Sequence, residues 1–149
     1  MVMVPGGAFL REGVDITLGS FWIGNVEVTQ GEIVRMYNKG LESREIKGEA
    51  GRGIEAYITL KKGGEELVRK RSEVSPYWGG VFYSSRDEEM RTAGNHDYFL
   101  VCRTTWYGAV YYCNARSREE GLPPCYEKDG KKWICNFSAD GYRLPTEAE

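Results

Sequence analysis

Residues Gly141 to Glu149 read "GYRLPTEAE", and the last five contain what a helix needs at its start. Pro145 pre-sets an extended entry, the Thr146 hydroxyl accepts a backbone N–H, and the Glu149 carboxylate, three residues on, reaches back to the Thr146 N–H. One isolated turn fixes many dihedrals for about one hydrogen bond, so a capping box implies several helical turns behind it. The sequence therefore predicts a helix continuing past Glu149, and an incomplete domain of which these 149 residues are the opening part.

Working back along the chain, "TTWYGAVYYCNARSREEGLPPCYE" holds the strongest helix signal. Thr105 caps it, and Trp106, Ala109, Val110 and Cys113 fall at i, i+3, i+4 and i+7, one apolar stripe that should carry the Trp106 ring into the core. Arg116, Arg118, Glu119 and Glu120 form a polar end before Gly121, and Pro123 and Pro124 prevent continuation. A second Thr-x-x-Glu box at Thr29 to Glu32 opens a short helix from Gln30 to Asn38, with Ile33, Met36 and Tyr37 at helical spacing and Gly40 closing it.

"CYEKDGKKWIC" reads as a hairpin around Asp129-Gly130. A three-residue loop would set Cys125 opposite Cys135 and a two-residue loop would not, so a cross-hairpin disulfide stays open.

The first 28 residues alternate short apolar pieces with glycine breaks: strand, turn and strand in "MVMVPGGAFL", then a strand-like "DITLGSFWIGNVEVT" with Gly19 and Gly24 as bends. Residues 40–96 differ in texture. "GLESREIKGEAGRG" reads as a charged loop, Ile54 to Leu60 as the first strand of a hairpin turned by Lys-Lys-Gly-Gly, "YWGGVFYSS" as a further strand and "RDEEMRTAGNH" as loop. Phe99 to Cys102 is a buried-strand candidate. Short strands, many turns and two or three helices give the α+β class, with much irregular structure.

The charge balance, 20 Lys and Arg against 22 Asp and Glu, provides no global field for nucleic acid or an anionic membrane. Arg69, Lys70 and Arg71 read as a solvated face of the hairpin. The apolar runs are too short to cross a bilayer, and "MVMVPGGAFLREG" lacks the basic start of a secretory signal, so the chain reads as soluble with its compartment unspecified.

The search for chemistry returns no assembled site. Cys102, Cys113, Cys125 and Cys135 match no zinc or Cys-x-x-Cys spacing and read as buried thiols or a structural disulfide. The single histidine, His96, sits in a polar loop without a nucleophile in sequence reach. Asp87 to Glu89 point three adjacent carboxylates in different directions. Asn136, Ser138 and Asp140 in "NFSADGYR" supply alternating oxygens for a calcium ion, but nothing fixes a coordination number. No catalytic, cofactor-binding or metal residue is assigned.

Four strings, "MVMVPGGAFL", "FWIGNVEVTQGE", "TTWYGAVYYCNARSREEGLPPCYE" and "GYRLPTEAE", resemble in order and spacing the sulfatase-modifying-factor family, the formylglycine-generating-enzyme type of domain. The resemblance covers about the first 40 residues and everything from Phe99; the charged segment at 40–96 is atypical. It implies a C-type-lectin-like fold and, in the complete domain, oxidation of a sulfatase cysteine to formylglycine with oxygen and copper, with calcium also bound. The copper cysteines it implies fall beyond Glu149, and Cys113 in "YYCN" matches a structural cysteine of the family. Partners implied are a sulfatase polypeptide or, in the related diversity-generating variable proteins, another protein ligand. Without the family, Glu27 between two valines reads as a buried structural carboxylate paired with Arg143, and Trp22 and Trp106 as core-facing rings left partly uncovered.

Overall fold

The computed structural model describes residues 1–49, 59–62, 65–67, 81–84, 89–92 and 104–149, and among these described residues it has two capped helices and eleven short strands. The chain divides into two compact units, Met1–Glu27 with Leu144–Glu149, and Val28–Arg143.

In the first unit, β1 (Val2–Val4) pairs antiparallel with β4 (Phe21–Ile23), setting Met3 opposite Trp22. Between them in sequence, β2 (Gly7–Arg11) and β3 (Val14–Leu18) form a hairpin with Phe9 opposite Ile16. Its two-residue turn needs positive φ at both positions, and Glu12 (+49°) and Gly13 (+80°) supply it. The strand expected across residues 15–29 breaks at Gly19-Ser20, where the Gly6 N–H donates to Ser20 Oγ at 2.9 Å. A side chain at Gly6 would meet the Leu18 carbonyl at 2.8 Å, which explains the glycine there.

The terminal strap belongs to the same unit. Arg11 binds the Glu147 carboxylate and its carbonyl oxygen. The capping box read from the sequence is formed: Thr146 N–H donates to Glu149 Oε2 at 2.8 Å, and Glu149 N–H to Thr146 Oγ1 at 3.3 Å.

The second unit is built on α1 (Gln30–Glu42), whose box is closed by Thr29 N–H to Glu32 Oε2 at 3.0 Å and Glu32 N–H to Thr29 Oγ1 at 3.3 Å. The helix overruns the expected stop. Gly40 is a notch in its buried face: a β-carbon there would lie 2.1 Å from the Tyr111 hydroxyl and 3.1 Å from Ile46. The Gly40 carbonyl then accepts from the N–H groups of Glu45 and Ile46, turning the chain into β5 (Lys47–Glu49), where the sequence reading has only loop.

β5 pairs with β6 (Thr59–Lys62), which pairs in turn with β7 (Glu65–Glu66). Lys61 and Lys62 are therefore strand residues, Lys62 opposite Glu65, and the expected four-residue turn is too long by two. Residues 54–58, 69–71 and 99–102 lie outside the described residues, and with them the outer part of the expected hairpin, its basic run and the buried-strand candidate. β8 (Val81–Ser84) and β9 (Glu89–Thr92) form another hairpin, the second strand again in a stretch expected as loop. Its anchor is tertiary: the Asn38 side chain accepts the Met90 N–H at 2.6 Å and donates to the Met90 carbonyl at 3.0 Å.

Helix α2 (Trp106–Glu119) begins at Thr105, whose hydroxyl accepts the Gly108 N–H at 3.1 Å. It ends in a Schellman motif on Gly121 (φ +72°), with Leu122 N–H to Ser117 O at 2.8 Å and Gly121 N–H to Arg118 O at 3.1 Å. Burial covers more of α2 than one stripe, taking in Gly108, Val110, Tyr111, Tyr112, Cys113, Asn114 and Ser117. The α1 face of Ile33, Met36 and Tyr37 joins Ile46, Leu67, Met90 and Val110 in the core. β10 (Tyr126–Asp129) and β11 (Lys132–Cys135) close the unit as a hairpin whose loop is two residues, Gly130-Lys131, with Gly130 at φ +59°. That loop sets Tyr126, and not Cys125, opposite Cys135.

Candidate functional site

A side chain of α2 clamps the hairpin main chain. Asn114 donates to the Tyr126 carbonyl at 2.7 Å and accepts the Tyr126 N–H at 3.1 Å, as Asn38 does for Met90 from α1. A turn further on, Ser117 Oγ donates to the Cys113 carbonyl at 2.9 Å and accepts the Tyr142 N–H at 2.7 Å. Gly141 is the second notch here, since a β-carbon would approach the Pro123 carbonyl to 2.1 Å.

Register fixes which side chains face the helix. Tyr126 and Cys135 are opposite each other, as are Lys128 and Trp133, so all four share one face. That face meets the start of α2: Trp106 stands edge-on to Tyr126 at 6.0 Å and to Trp133 at 6.2 Å, and Tyr107 lies 6.5 Å from Trp133. Glu65 accepts from Trp133 Nε1 at 3.1 Å and pairs with Lys128 at 2.8 Å. The ring cluster is only half covered. Trp106 is 48% exposed, in keeping with a ring left partly uncovered and not with one wedged fully into the core.

A polar seam joins α1 to α2. Glu119 takes Arg35 at 2.6 Å and Lys39; Arg116 bonds Glu120 and the Tyr112 hydroxyl, each at 3.1 Å, and stacks on Tyr142. Glu45 accepts from Lys62, Arg118 and the Tyr111 hydroxyl. Partial burial pushes the Glu45 carboxyl up, but the Lys62 bond and charge, with Arg118 and Tyr111, outweigh it and hold the group below the usual range. Burial and the facing Glu45 charge raise the Tyr111 phenol. These groups are engaged in holding the helices together.

The thiols Cys113, Cys125 and Cys135 are free, the first two buried and the third half-buried. Burial first, then the neighbouring Cys125, pushes the Cys113 thiol up to about 12. Cys125 is raised for the same reasons, burial and then Cys135, and its Sγ points at the Ala139 carbonyl 3.6 Å away. Such thiols are neutral at pH 7 and poor nucleophiles or metal ligands. Among the described residues no three His, Cys, Asp or Glu side chains converge to hold a metal ion.

His96, Cys102, Asp87 and Glu88 lie outside the described residues. Asn136 Oδ1 accepts the Ser138 N–H at 3.0 Å in a local turn. Glu27 is exposed, contrary to the buried role expected of it, because β4 ends at Ile23 and "VEVT" never becomes a strand. The Arg143 guanidinium lies 5.2 Å from the Phe137 ring centre. Both asparagine clamps escaped the sequence reading, whose only signal for them was a polar residue beside the apolar face of each helix.

Two helices with reciprocal or threonine caps, a hairpin clamped to the second helix, and buried thiols define an α+β scaffold domain. The chain belongs to the sulfatase-modifying factor enzyme 1-like domain family, whose model matches residues 1–149. It is 30% identical over 169 aligned residues to a protein of Paenibacillus barcinonensis described as "Chaperone protein LppX"; the alignment takes in 100% of this chain and 42% of that protein's length. No solved structure gives a significant match. No helix among the described residues is long and apolar enough to cross a membrane.

Proposed function

We propose that these residues form the scaffold part of a formylglycine-generating-enzyme-like domain of C-type-lectin-like fold, and that oxidation of a sulfatase cysteine is completed by residues elsewhere in a longer protein. The observation that carries this is the state of the thiols. Copper(I), the metal such an oxidase uses, needs soft thiolates with room between them. Cys113 is buried with its thiol near 12, and the Cys125 sulfur is turned to a carbonyl, so the described residues do not fit the metal. Calcium fares no better, since among the described residues no three His, Cys, Asp or Glu side chains converge on one point. The family match over the whole chain supports the scaffold role.

The test compares the 149-residue protein with the longer gene product on a peptide carrying the sulfatase motif, scoring formylglycine by mass and copper(I) by competition with a chelator. Turnover by the longer protein alone is expected, and turnover by the 149 residues ends the reading.

A second reading is favoured by the half-exposed ring cluster at Trp106 and Trp133 and by the relative described as a chaperone: a non-catalytic module that binds a polypeptide ligand. Absence of formylglycine with the longer protein, together with quenching of Trp fluorescence by a sulfatase peptide, selects it.

A further inference from the structure

The dipeptide Asp-Gly occurs twice in the chain, at Asp129-Gly130 and Asp140-Gly141, and the fold treats the two in opposite ways. An aspartyl carboxyl is open to attack by the main-chain nitrogen of the next residue, and glycine, with no β-carbon, lets that nitrogen swing towards it. Asp129 is the last residue of β10, opposite Lys132, and Gly130 opens the two-residue loop. Both are exposed, Gly130 holds φ at +59°, and nothing lies within 4 Å of where its β-carbon would be. Gly141, by contrast, is packed in. A β-carbon there would stand 2.1 Å from the Pro123 carbonyl and 2.7 Å from Ser117 Oγ, its own N–H bonds the Cys125 sulfur, and the following N–H, of Tyr142, donates to Ser117 Oγ at 2.7 Å. Cys125 Sγ donates in turn to the Ala139 carbonyl at 3.6 Å, so the peptide groups on both sides of Asp140 are pinned.

We propose that Asp129 is a site of spontaneous conversion to isoaspartate, a covalent modification that the fold denies to Asp140. In the first step the Gly130 nitrogen attacks the carboxyl carbon of Asp129 in its acid form. A C–N bond forms, the nitrogen gives up its proton, and the carboxyl hydroxyl leaves with a proton as water, closing a five-membered imide. Water then adds to one of the two imide carbonyls and breaks its bond to nitrogen. Opening at the side-chain carbonyl restores aspartate, and opening at the main-chain carbonyl leaves the chain running through the β-carbon. One water is released and one consumed, so the product keeps the parent mass and nothing is oxidised or reduced. The main chain gains one methylene at a loop of two residues, which costs the Asp129–Lys132 pairing, while the Tyr126 end stays on Asn114. The loosened end includes Lys128 and Trp133, so the modification also bears on the ring cluster.

The experiment ages the 149-residue protein at mildly acid pH, in buffer and in parallel in concentrated urea, then digests it with a protease that cuts before aspartate but not before isoaspartate. An uncut fragment 97–139 reports conversion at 129, and an uncut 129–149 reports conversion at 140. In buffer, 97–139 should accumulate about tenfold or more faster than 129–149, the factor that releasing the bonds on Gly141 and Tyr142 imposes. In urea the two should accumulate at similar rates. No uncut 97–139 in buffer, equal accumulation there, or a preference for 129 that persists in urea overturns the proposal. Two variants at exposed positions give an independent readout, methyl labelling by an isoaspartyl methyltransferase with S-adenosylmethionine. Asp129→Glu, which would have to close a six-membered ring, should lose most of the label, and Asp140→Glu should keep it. Label retained in the first, or lost in the second, also overturns it.

Discussion

Replacing Asn114 by alanine removes both hydrogen bonds between α2 and the Tyr126 main chain, at 2.7 and 3.1 Å, from a position that is 6% exposed. Water cannot readily take their place, so a buried N–H and a buried C=O lose their partner together. An unmet buried polar group costs about 1–3 kcal/mol, and part of that is returned because the amide itself no longer needs burying, so a loss of about 2–4 kcal/mol is expected. Urea unfolding followed by Trp fluorescence measures it directly, because Trp106 and Trp133 both touch this hairpin. Asn114→Asp sharpens the reasoning. The aspartate still accepts the Tyr126 N–H, but when ionised it sets an oxygen against the Tyr126 carbonyl; when protonated it can donate again. Relative to the parent, its deficit should therefore shrink as pH falls towards the ordinary aspartate value of about 3.9, and stay level below it, where both folded and unfolded states are protonated. A loss under about 0.5 kcal/mol for Asn114→Ala, or an aspartate deficit that does not move with pH, would refute the clamp as the hairpin's anchor.

Three further outcomes are expected. Gly108→Ala brings a β-carbon to 2.0 Å from the Leu67 carbonyl, which also accepts the Thr105 N–H, so the main chain must yield; overpacking of about 1–3 kcal/mol should outweigh the roughly 1 kcal/mol gained in helix propensity, whereas Gly7→Ala, with open space around it, should not destabilise by overpacking. Glu45 has its carboxyl depressed in the fold, so its stabilisation is present above the ordinary value of 4.5 and is lost as pH falls through the lower folded value; Glu45→Gln should flatten the acid limb of stability against pH, and an unchanged limb would count against the Lys62 and Arg118 pairing. Cys113 has its thiol raised from 9.0 to about 12, so the stability it contributes holds below 9 and fades between 9 and 12; iodoacetamide at pH 8 should label Cys135 well before Cys113, and equal rates would contradict the burial.

What the sequence made legible is local. Thr29 with Glu32, Thr105, Thr146 with Glu149, and Gly121 each act on backbone groups within a few residues, so their chemistry can be read without a fold. Gly40 shows where that stops: a glycine after an apolar stripe is the usual end of a helix, yet here the same residue is a notch for Tyr111, which is 71 positions away. β5 and β9 carry "KGE" and "EMRT", sequences of weak strand propensity whose pairing depends on distant strands and, for β9, on Asn38. For Trp106, helical periodicity assigns the ring to the apolar stripe without saying how much of it a neighbour covers, and about half stays exposed. The cysteine alternatives were separated by one residue of loop length, and only the observed register decides between them.

The two functional readings place different demands on this frame, and the demands are unequal. A copper(I) site on the described thiols requires Cys113 to ionise beside Cys125 in a closed interior, where burial and the second sulfur both oppose the charge. Opening that interior would mean releasing the Asn114 and Ser117 bonds that seat the hairpin and the 139–142 turn on α2. Binding through Trp106, Tyr107 and Trp133 requires no such rearrangement, because their partly exposed faces stand beside a satisfied Glu65–Lys128 pair. Among the described residues, contact with a polypeptide therefore asks for less rearrangement than a copper(I) site would. A sulfatase peptide titrated against the 149-residue protein, with Trp106→Ala as the comparison, tests this: saturable quenching lost in the variant means that the frame itself binds the peptide, and no quenching in either counts against peptide recognition by these rings.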